Sequence, residues 1–197
     1  IDATGVTTIA EAGDITAGGA VTFGANKSGT LTTAGEITTT DDDITFTNAV
    51  TQSGNVEIDT GSGAGNILFS STVATGDKDL QLDAGSSGNI TAASSITGGG
   101  ALTVIDGAVQ KYSGAINVDS LDIQDATSSV TLDGAVTTQT TVDINSGGSP
   151  TQHPRVRDGG VVDYYPATLG KNNTITTGTT IDIDATGVTT LAETGDW

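Results

Sequence analysis

Several residue types are scarce or missing in this chain. It has no cysteine, no methionine and only 3 prolines, and aromatic residues make up 4% of its 197 residues. Without cysteine there can be no disulfide, thiolate metal site or cysteine nucleophile. Few aromatics mean few large side chains to fill a thick core, so a narrow core is expected. No apolar run approaches the roughly 20 residues of a membrane span, and no signal-peptide pattern is present, so we expect any export signal to lie outside this fragment.

Positive charge is also scarce. The chain has 24 acidic and 6 basic residues, which gives a formal net charge of −18. That charge repels phosphates and anionic lipid headgroups, so nucleic acid and membrane surfaces are not expected partners. Divalent cations suit such a chain better.

The residues that are abundant favour strands. Thr, Val and Ile fit a pleated sheet, and 28 glycines interrupt any long helix. The composition therefore predicts an all-β protein with negligible helix.

The chain repeats its own beginning near its end. Residues 1–14, IDATGVTTIAEAGD, return with two substitutions at residues 183–196, so position 183 repeats position 1 and the period is 182. We expect one unit of a tandem array across residues 1–197, with 183–197 starting the next unit. We also expect both copies to adopt the same conformation.

A shorter period runs inside that unit. Segments starting at Ile44, Ile67, Ile90 and Val130 each place a second apolar residue six positions later and close on an alternating apolar pair. The first three starts are evenly spaced, and Val130 follows after nearly twice that interval. Their spacing of about 23 residues falls in the range of 20 to 50 that is typical of solenoids.

The gap before Val130 predicts a missing member of the series. QKYSGAINVDSLDIQD supplies it, with Gln110 at its start and Tyr112 in the place of Phe46 and Phe69. Because that start is polar, the register of this segment is open by one position. Before Ile44 the spacing loosens, so coils there are expected to be longer or differently cornered.

These periods predict a parallel β-helix with two or three short strands per turn. Alternation buries one face of each strand, and glycine-rich breaks turn the chain. At about 22 residues per coil the unit holds about eight coils. The alternative is a β-sandwich tandem array, whose domains of about 100 residues favour longer strands and no such internal period.

The strand repeats resemble a known family. GNILFSSTVATGDKDLQLDAGSSGNITAASSITGGGALTV and VTLDGAVTTQTTVDI are similar to the Gly/Thr-rich repeats of giant bacterial surface proteins of the filamentous-haemagglutinin and autotransporter-passenger type. The resemblance covers about residues 15–146 and 175–197. It implies a right-handed parallel β-helix, export to the bacterial cell surface and a role as stalk or adhesin.

One segment does not repeat. Residues 147–174 contain all three prolines, the only histidine and both arginines. Proline does not fit a central strand, so we interpret the segment as an insertion or flap over the solenoid wall. A second interpretation is a binding site, because Arg and Tyr are enriched in binding hot spots. Its residues would be His153, Arg155, Arg157, Tyr164 and Tyr165.

Other candidate sites are weaker. Asp41, Asp42 and Asp43 are candidate calcium ligands, although consecutive side chains point to alternate faces and a solvated turn is the favoured interpretation. No other cofactor is expected. The threonines are spaced too irregularly along the sequence to form one flat grid.

The leading functional hypothesis is structural. The chain would be a repeat unit of a long extracellular fibre or giant cell-surface adhesin, a stiff spacer in contact with adjacent units, neighbouring fibres or surface carbohydrate. A carbohydrate- or protein-binding module is the alternative. A polysaccharide-active β-helix is less favoured because such enzymes carry basic and aromatic groups along one groove, so we do not expect an enzyme.

Overall fold

The computed structural model describes residues 1–2, 4–24 and 29–144 in full, and 167–169 and 175–176 through their strand pairing. These residues form 22 short strands, numbered in chain order, and no helix. Every pairing between neighbouring strands is parallel, and the strands build three sheets. The fold is a β-solenoid, as predicted, and the β-sandwich alternative is wrong.

Each sheet takes every third strand. Sheet I contains β1 (Thr7–Ile9), β4 (Leu31–Thr33), β7 (Val50–Gln52), β10 (Val73–Gly76), β13 (Ile96–Gly98), β16 (Ile116–Val118), β19 (Val136–Thr138) and β22 (Ile175–Thr176). Sheet II contains β2 (Ile15–Ala17), β5 (Ile37–Thr39), β8 (Val56–Asp59), β11 (Leu80–Asp83), β14 (Leu102–Asp106), β17 (Leu121–Ile123) and β20 (Val142–Ile144). Sheet III contains β3 (Val21–Phe23), β6 (Ile44–Phe46), β9 (Ile67–Phe69), β12 (Ile90–Ala92), β15 (Val109–Tyr112), β18 (Ser129–Leu132) and β21 (Ala167–Leu169).

A coil of the solenoid is therefore one strand from each sheet, joined by three corners. Strands β1 to β21 pass through the three sheets in seven complete coils, and β22 begins the next. This count is slightly below the predicted eight. The hand of the winding stays a prediction.

The strands form because each alternates between the core and the surface. In β6, Ile44 and Phe46 are buried and Thr45 lies between them on the outer face. The same pattern recurs in β4, β9 and β17. Because like residues stack on like in successive coils, the buried side chains form columns along the axis, and one narrow core runs through all coils.

The largest side chains share one column of sheet III. The rings of Phe23 and Phe46 stack at 5.2 Å between centroids, and those of Phe46 and Phe69 at 4.8 Å. Ala92 occupies the next position and Tyr112 the one after it. Such ring pairs add about 0.5–1.5 kcal/mol each beyond the area that they bury.

The missing repeat member lies where the sequence predicts it. Ile90 pairs with Gln110, and Ala92 with Tyr112. Gln110 is fully buried, and its side chain is satisfied: its Nε2 donates to the Asp125 carbonyl oxygen at 2.8 Å, and its Oε1 accepts from the Tyr112 hydroxyl at 3.2 Å. Burial raises the pKa of Tyr112 well above its usual value, so the phenol stays neutral.

The corner from sheet III to sheet I has a constant length from β6 to β19 and is longer on either side of that stretch, with 10 positions from Val21 to Leu31 and 8 from Ala167 to Ile175. The distance between the first inward-facing residues of the two strands is 6 positions in five successive coils. The pairs are Ile44 and Val50, Ile67 and Val73, Ile90 and Ile96, Gln110 and Ile116, and Val130 and Val136.

The corner from sheet II to sheet III is variable. Measured from the inward column of sheet II that contains Ile58, the distance to the first inward residue of sheet III varies between 6 and 9 positions. The coil period also changes, because equivalent residues are 23 positions apart from Asn66 to Asn89 and 20 apart from Asn89 to Val109. The corners on either side of sheet II absorb this shortening.

Part of the predicted insertion is described. Ala167–Leu169 lies within residues 147–174 and pairs in register with Val130–Leu132 of β18. The rest of that range, and the second copy of the opening motif at residues 183–196, lie outside the described residues. The predictions about both therefore stay predictions.

Candidate functional site

The five predicted binding residues cannot be placed. They lie outside the part of the chain that the structure describes, namely His153, Arg155, Arg157, Tyr164 and Tyr165. The hypothesis of a binding site there stays a prediction.

Asp41, Asp42 and Asp43 form a turn between sheets II and III. Asp41 has a φ of +61°, and its Oδ1 accepts a hydrogen bond from the backbone N–H of Gly63 in the next coil at 2.6 Å. The carbonyl oxygen of Asp42 accepts from the Thr39 hydroxyl at 2.5 Å. Asp41 and Asp43 are exposed. The turn thus uses its polar atoms to join neighbouring coils.

Asp43 also starts a ladder of side chains along the axis. Its Oδ1 accepts from both the backbone N–H and the Nδ2 of Asn66 at 2.8 Å. The Oδ1 of Asn66 in turn accepts from the backbone and Nδ2 of Asn89, and the Oδ1 of Asn89 accepts from the N–H of Val109 at 3.1 Å. Among the fully described residues, no group of three or more His, Cys, Asp or Glu side chains is placed to hold a metal ion.

A cleft that the sequence did not predict lies nearby, at the corner where sheet II ends. It has a volume of about 320 Å³, and Asp59, Asp83 and Asp106 line it together with glycines and serines. Asp83 pairs with Asp59 in the coil on one side and with Asp106 on the other. Asp59 and Asp83 each accept a hydrogen bond from the backbone N–H two residues on, at 2.6 and 2.9 Å.

Asp106 differs from the other two aspartates. Partial burial raises its pKa above the ordinary value, the negative charge of Asp125 adds to the rise, and Asp83 adds a smaller part. A hydrogen bond from the Gly107 N–H acts in the opposite direction. Its Oδ1 is buried without a hydrogen-bond partner. Burial is therefore the main reason that ionisation of Asp106 is disfavoured, and neighbouring negative charge adds to it.

One sequence signal could have revealed the cleft. Asp59, Asp83 and Asp106 each end a sheet II strand after an apolar residue, in VEID, LQLD and LTVID. The aspartate sits one or two positions beyond the inward pair, and a register shift at Asp83 hides the equivalence. Chemically, the three carboxylates make an acidic cleft that has no basic side chain among its lining residues.

Negative charge is concentrated on one side of the solenoid. Of the 18 acidic residues between positions 1 and 144, 16 lie on sheet II or on the corners at its two ends. The exceptions are Asp2 and Asp133, and Asp133 is 3.6 Å from the Nζ of Lys111. The acidic set comprises Glu11, Asp14, Glu36, Asp41, Asp42, Asp43, Glu57, Asp59, Asp77, Asp79, Asp83, Asp106, Asp119, Asp122, Asp125 and Asp143.

Sheet I has the opposite character. No strand of sheet I, and no residue directly before one, carries a charged side chain. The centre of its outer face is a single in-register column, formed by Thr8, Thr32, Thr51, Ala74, Thr97, Asn117 and Thr137. The sequence did not predict this column, and the expectation that the threonines form no flat grid stays a prediction. Their uneven spacing in sequence reflects corner lengths, and strand pairing brings them back into register.

No family model, no curated protein and no solved structure matches the chain. Among the described residues there is no helix long and apolar enough to cross a membrane.

Proposed function

We propose that this chain is a structural unit of a long bacterial cell-surface fibre or giant adhesin, and that its work is to span distance stiffly. The observation that supports this most is the continuity of the three sheets. Sheet I pairs β1 to β22 without interruption, and sheets II and III run alongside it. Each coil is held to the next by backbone hydrogen bonds on three sides.

Continuous ladders make a rod in which length is proportional to coil number. Coils stack at the inter-strand spacing of about 4.8 Å, so eight coils per unit would advance about 40 Å. Each coil contacts only its neighbours, and further units can be added without changing those already present. A sequence in which position 183 returns to position 1 would use this geometry to build a long stalk.

The partners proposed for this unit follow from the same geometry. The last coil of a solenoid leaves three strand edges open, and an adjacent unit of the same chain covers them by continuing the sheets. Contacts with neighbouring fibres or surface carbohydrate would come from the walls and from the segment that contains Arg155 and Arg157. The family resemblance of the repeats supports an extracellular location.

Small-angle X-ray scattering tests the spacer role. The 197-residue chain is compared with a chain in which residues 1–182 occur twice. The longer protein should have the same cross-section and a maximum dimension greater by about 40 Å. An unchanged length with a wider cross-section would mean that units fold side by side, and the spacer proposal would be lost.

The location has its own test. Intact cells that express the parent protein should bind an antibody raised against this chain without permeabilisation. If the antibody binds only after lysis, the surface assignment is wrong even if the rod geometry is right.

A further inference from the structure

The distribution of acidic residues leaves one wall of the solenoid, sheet I, without charged strand residues. Sheet II and its corners carry 16 of the 18 acidic residues of positions 1–144, whereas sheet I and the residues that precede its strands carry none. Two copies of so acidic a molecule repel each other when their sheet II sides approach. An approach through sheet I brings no charged strand residue against another, and the carboxylates that directly follow its strands, Asp77 and Asp119, lie at the rim of the face.

The two faces would also match in period. The outer column of sheet I repeats once per coil, as in Thr8, Thr32 and Thr51. A second copy has the same spacing of about 4.8 Å, so side chains of one face can interdigitate with those of the other along the whole rod, as between paired sheets of a steric zipper. The Thr, Ala and Asn side chains of this column are short, and ordering them costs little side-chain entropy compared with Lys or Glu.

Sheet III is a poorer candidate. Its outer column includes Lys111, whose Nζ is 3.6 Å from Asp133, and the large side chain of Leu68. A facing copy would meet a charged pair and a larger, half-buried side chain there. Charge and shape therefore single out sheet I among the three walls.

The area of this face sets the strength of the contact. Seven coils at about 4.8 Å and about four residues of 3.3 Å across give roughly 450 Å² per copy. Twice that, roughly 900 Å², is below the 1,200–2,000 Å² of standard stable interfaces. One unit should bind weakly, and a tandem array should bind strongly because each added unit adds the same contact.

We propose that sheet I is a self-association face, through which a second copy of this chain packs face to face with the acidic sheet II of both copies turned to solvent. The inference rests on the proposed function in that lateral pairing would bundle stiff stalks. It assigns to the wall of the rod a role that the spacer function does not require.

Sedimentation velocity on the 197-residue chain, at rising protein concentration and in low and high salt, measures the association. Wild type should dimerise weakly, and more tightly at high salt, which screens the remaining repulsion. The double variant Thr51→Glu/Thr97→Glu should weaken dimerisation at least 10-fold. The matched control Thr45→Glu/Thr91→Glu adds the same charge to outward positions of sheet III and should dimerise like wild type.

A second, milder variant guards against misfolding of the first. Asn117→Asp is isosteric, lies at an exposed position of the sheet I column and should also weaken dimerisation. Circular dichroism and melting temperature establish that all variants are folded. Equal effects of sheet I and sheet III substitutions, or a monomeric wild type at millimolar concentration in high salt, would overturn the proposal.

The two proposals fail separately. Scattering on the monomeric fraction reports the length of the rod, whatever the dimerisation. A correct length without association removes only the self-association face, whereas a wrong length removes the spacer role.

Discussion

Two corners of the solenoid differ in how constant their length is. One joins sheet III to sheet I, and the other joins sheet II to sheet III. From β6 to β19 the first keeps 6 positions between inward-facing residues, whereas the second varies between 6 and 9 in the same stretch. The regular corner is almost free of charge, and Asp133 is its one acidic residue among residues 29–144. The variable corner has the aspartate turn, the acidic cleft and Asp125.

The two corners also differ in the hydrogen bonds that join each of them to the neighbouring coil. At the regular corner, each coil repeats one backbone hydrogen bond to the coil before it: Ser70 to Phe46, Ala93 to Phe69 and Ser113 to Ala92, at 2.8 to 2.9 Å. The variable corner uses side chains as well, through Asp41, Asp43 and Asn66. A corner whose side chains bond to the next coil can change length, because those bonds adapt to each turn.

Deleting one serine from each corner tests the contrast most strongly. Removal of Ser71 leaves five positions between Ile67 and Val73, which turns a buried strand residue outward and should cost about 2–4 kcal/mol. Removal of Ser62 leaves eight positions between Ile58 and Ile67, a length that the next coil already has. It should cost about 1 kcal/mol or less. Urea unfolding measures both, and equal costs would contradict the distinction.

Glycine at the regular corner is the next test. A methyl group at Gly114 would overlap the backbone of Ser94 in the preceding coil, so Gly114→Ala should destabilise by about 1–3 kcal/mol. Gly18 has nothing within 4 Å of the position of an added Cβ, so Gly18→Ala is the matched control and should be near neutral. Thermal melts of the two variants compare them directly. A neutral Gly114→Ala would show that adjacent coils are less tightly packed there.

Alkaline pH tests the buried end of sheet III, where the regular corner begins. Burial raises the pKa of Tyr112, so the folded state retains its proton after the unfolded state has lost it. Stability is fully present below the unfolded pKa of about 10 and should fall by about 1.4 kcal/mol per pH unit above it. Urea unfolding from pH 8 to 11 measures the slope. Tyr112→Phe should remove this part of it, and an unchanged slope would mean that Tyr112 is not the group responsible.

Removal of a single charge should have the smallest effect on stability, and the sign of that effect should differ between the two corners. Partial burial and Asp125 raise the pKa of Asp106, so its ionised form opposes folding, and stability from this group declines as pH rises through its folded pKa. Asp106→Asn should therefore stabilise by a few tenths of a kcal/mol at pH 7, and less at pH 4. Asp133→Asn loses the pairing with Lys111 and should destabilise by a similar small amount. Chemical denaturation at both pH values checks the signs, and matching signs would contradict the charge asymmetry.

The fold could be predicted from the sequence because the residues of the core columns recur along it at recognisable intervals. The interval of 6 between Ile67 and Val73, and the alternation of Leu80 and Leu82, mark inward positions directly. Even the polar start at Gln110 was placed correctly, because Tyr112 fell on the aromatic column two residues later.

The surface was harder to predict than the core. Strand pairing aligns Thr8 with Thr32 and Thr32 with Thr51, and these two intervals differ in length, so a constant period cannot find the column. The acidic cleft was missed for the same reason, since Asp59, Asp83 and Asp106 border the corner of variable length. Which outward residues share a column depends on the register between strands of successive coils. That register is known only when the length of every corner is known.

The stacking of separate coils has a mechanical consequence. Tension along the axis separates coils at their hydrogen-bonded edges, one after another, from a free end. One such coil runs from Ile67 to the residue before Ile90, its partner in the next coil. When it peels away, it releases about 75 Å of extended chain in exchange for about 4.8 Å of rod. Such a stalk would hold its length at low force and lengthen many-fold, coil by coil, above a threshold, which makes it a shock absorber as well as a spacer.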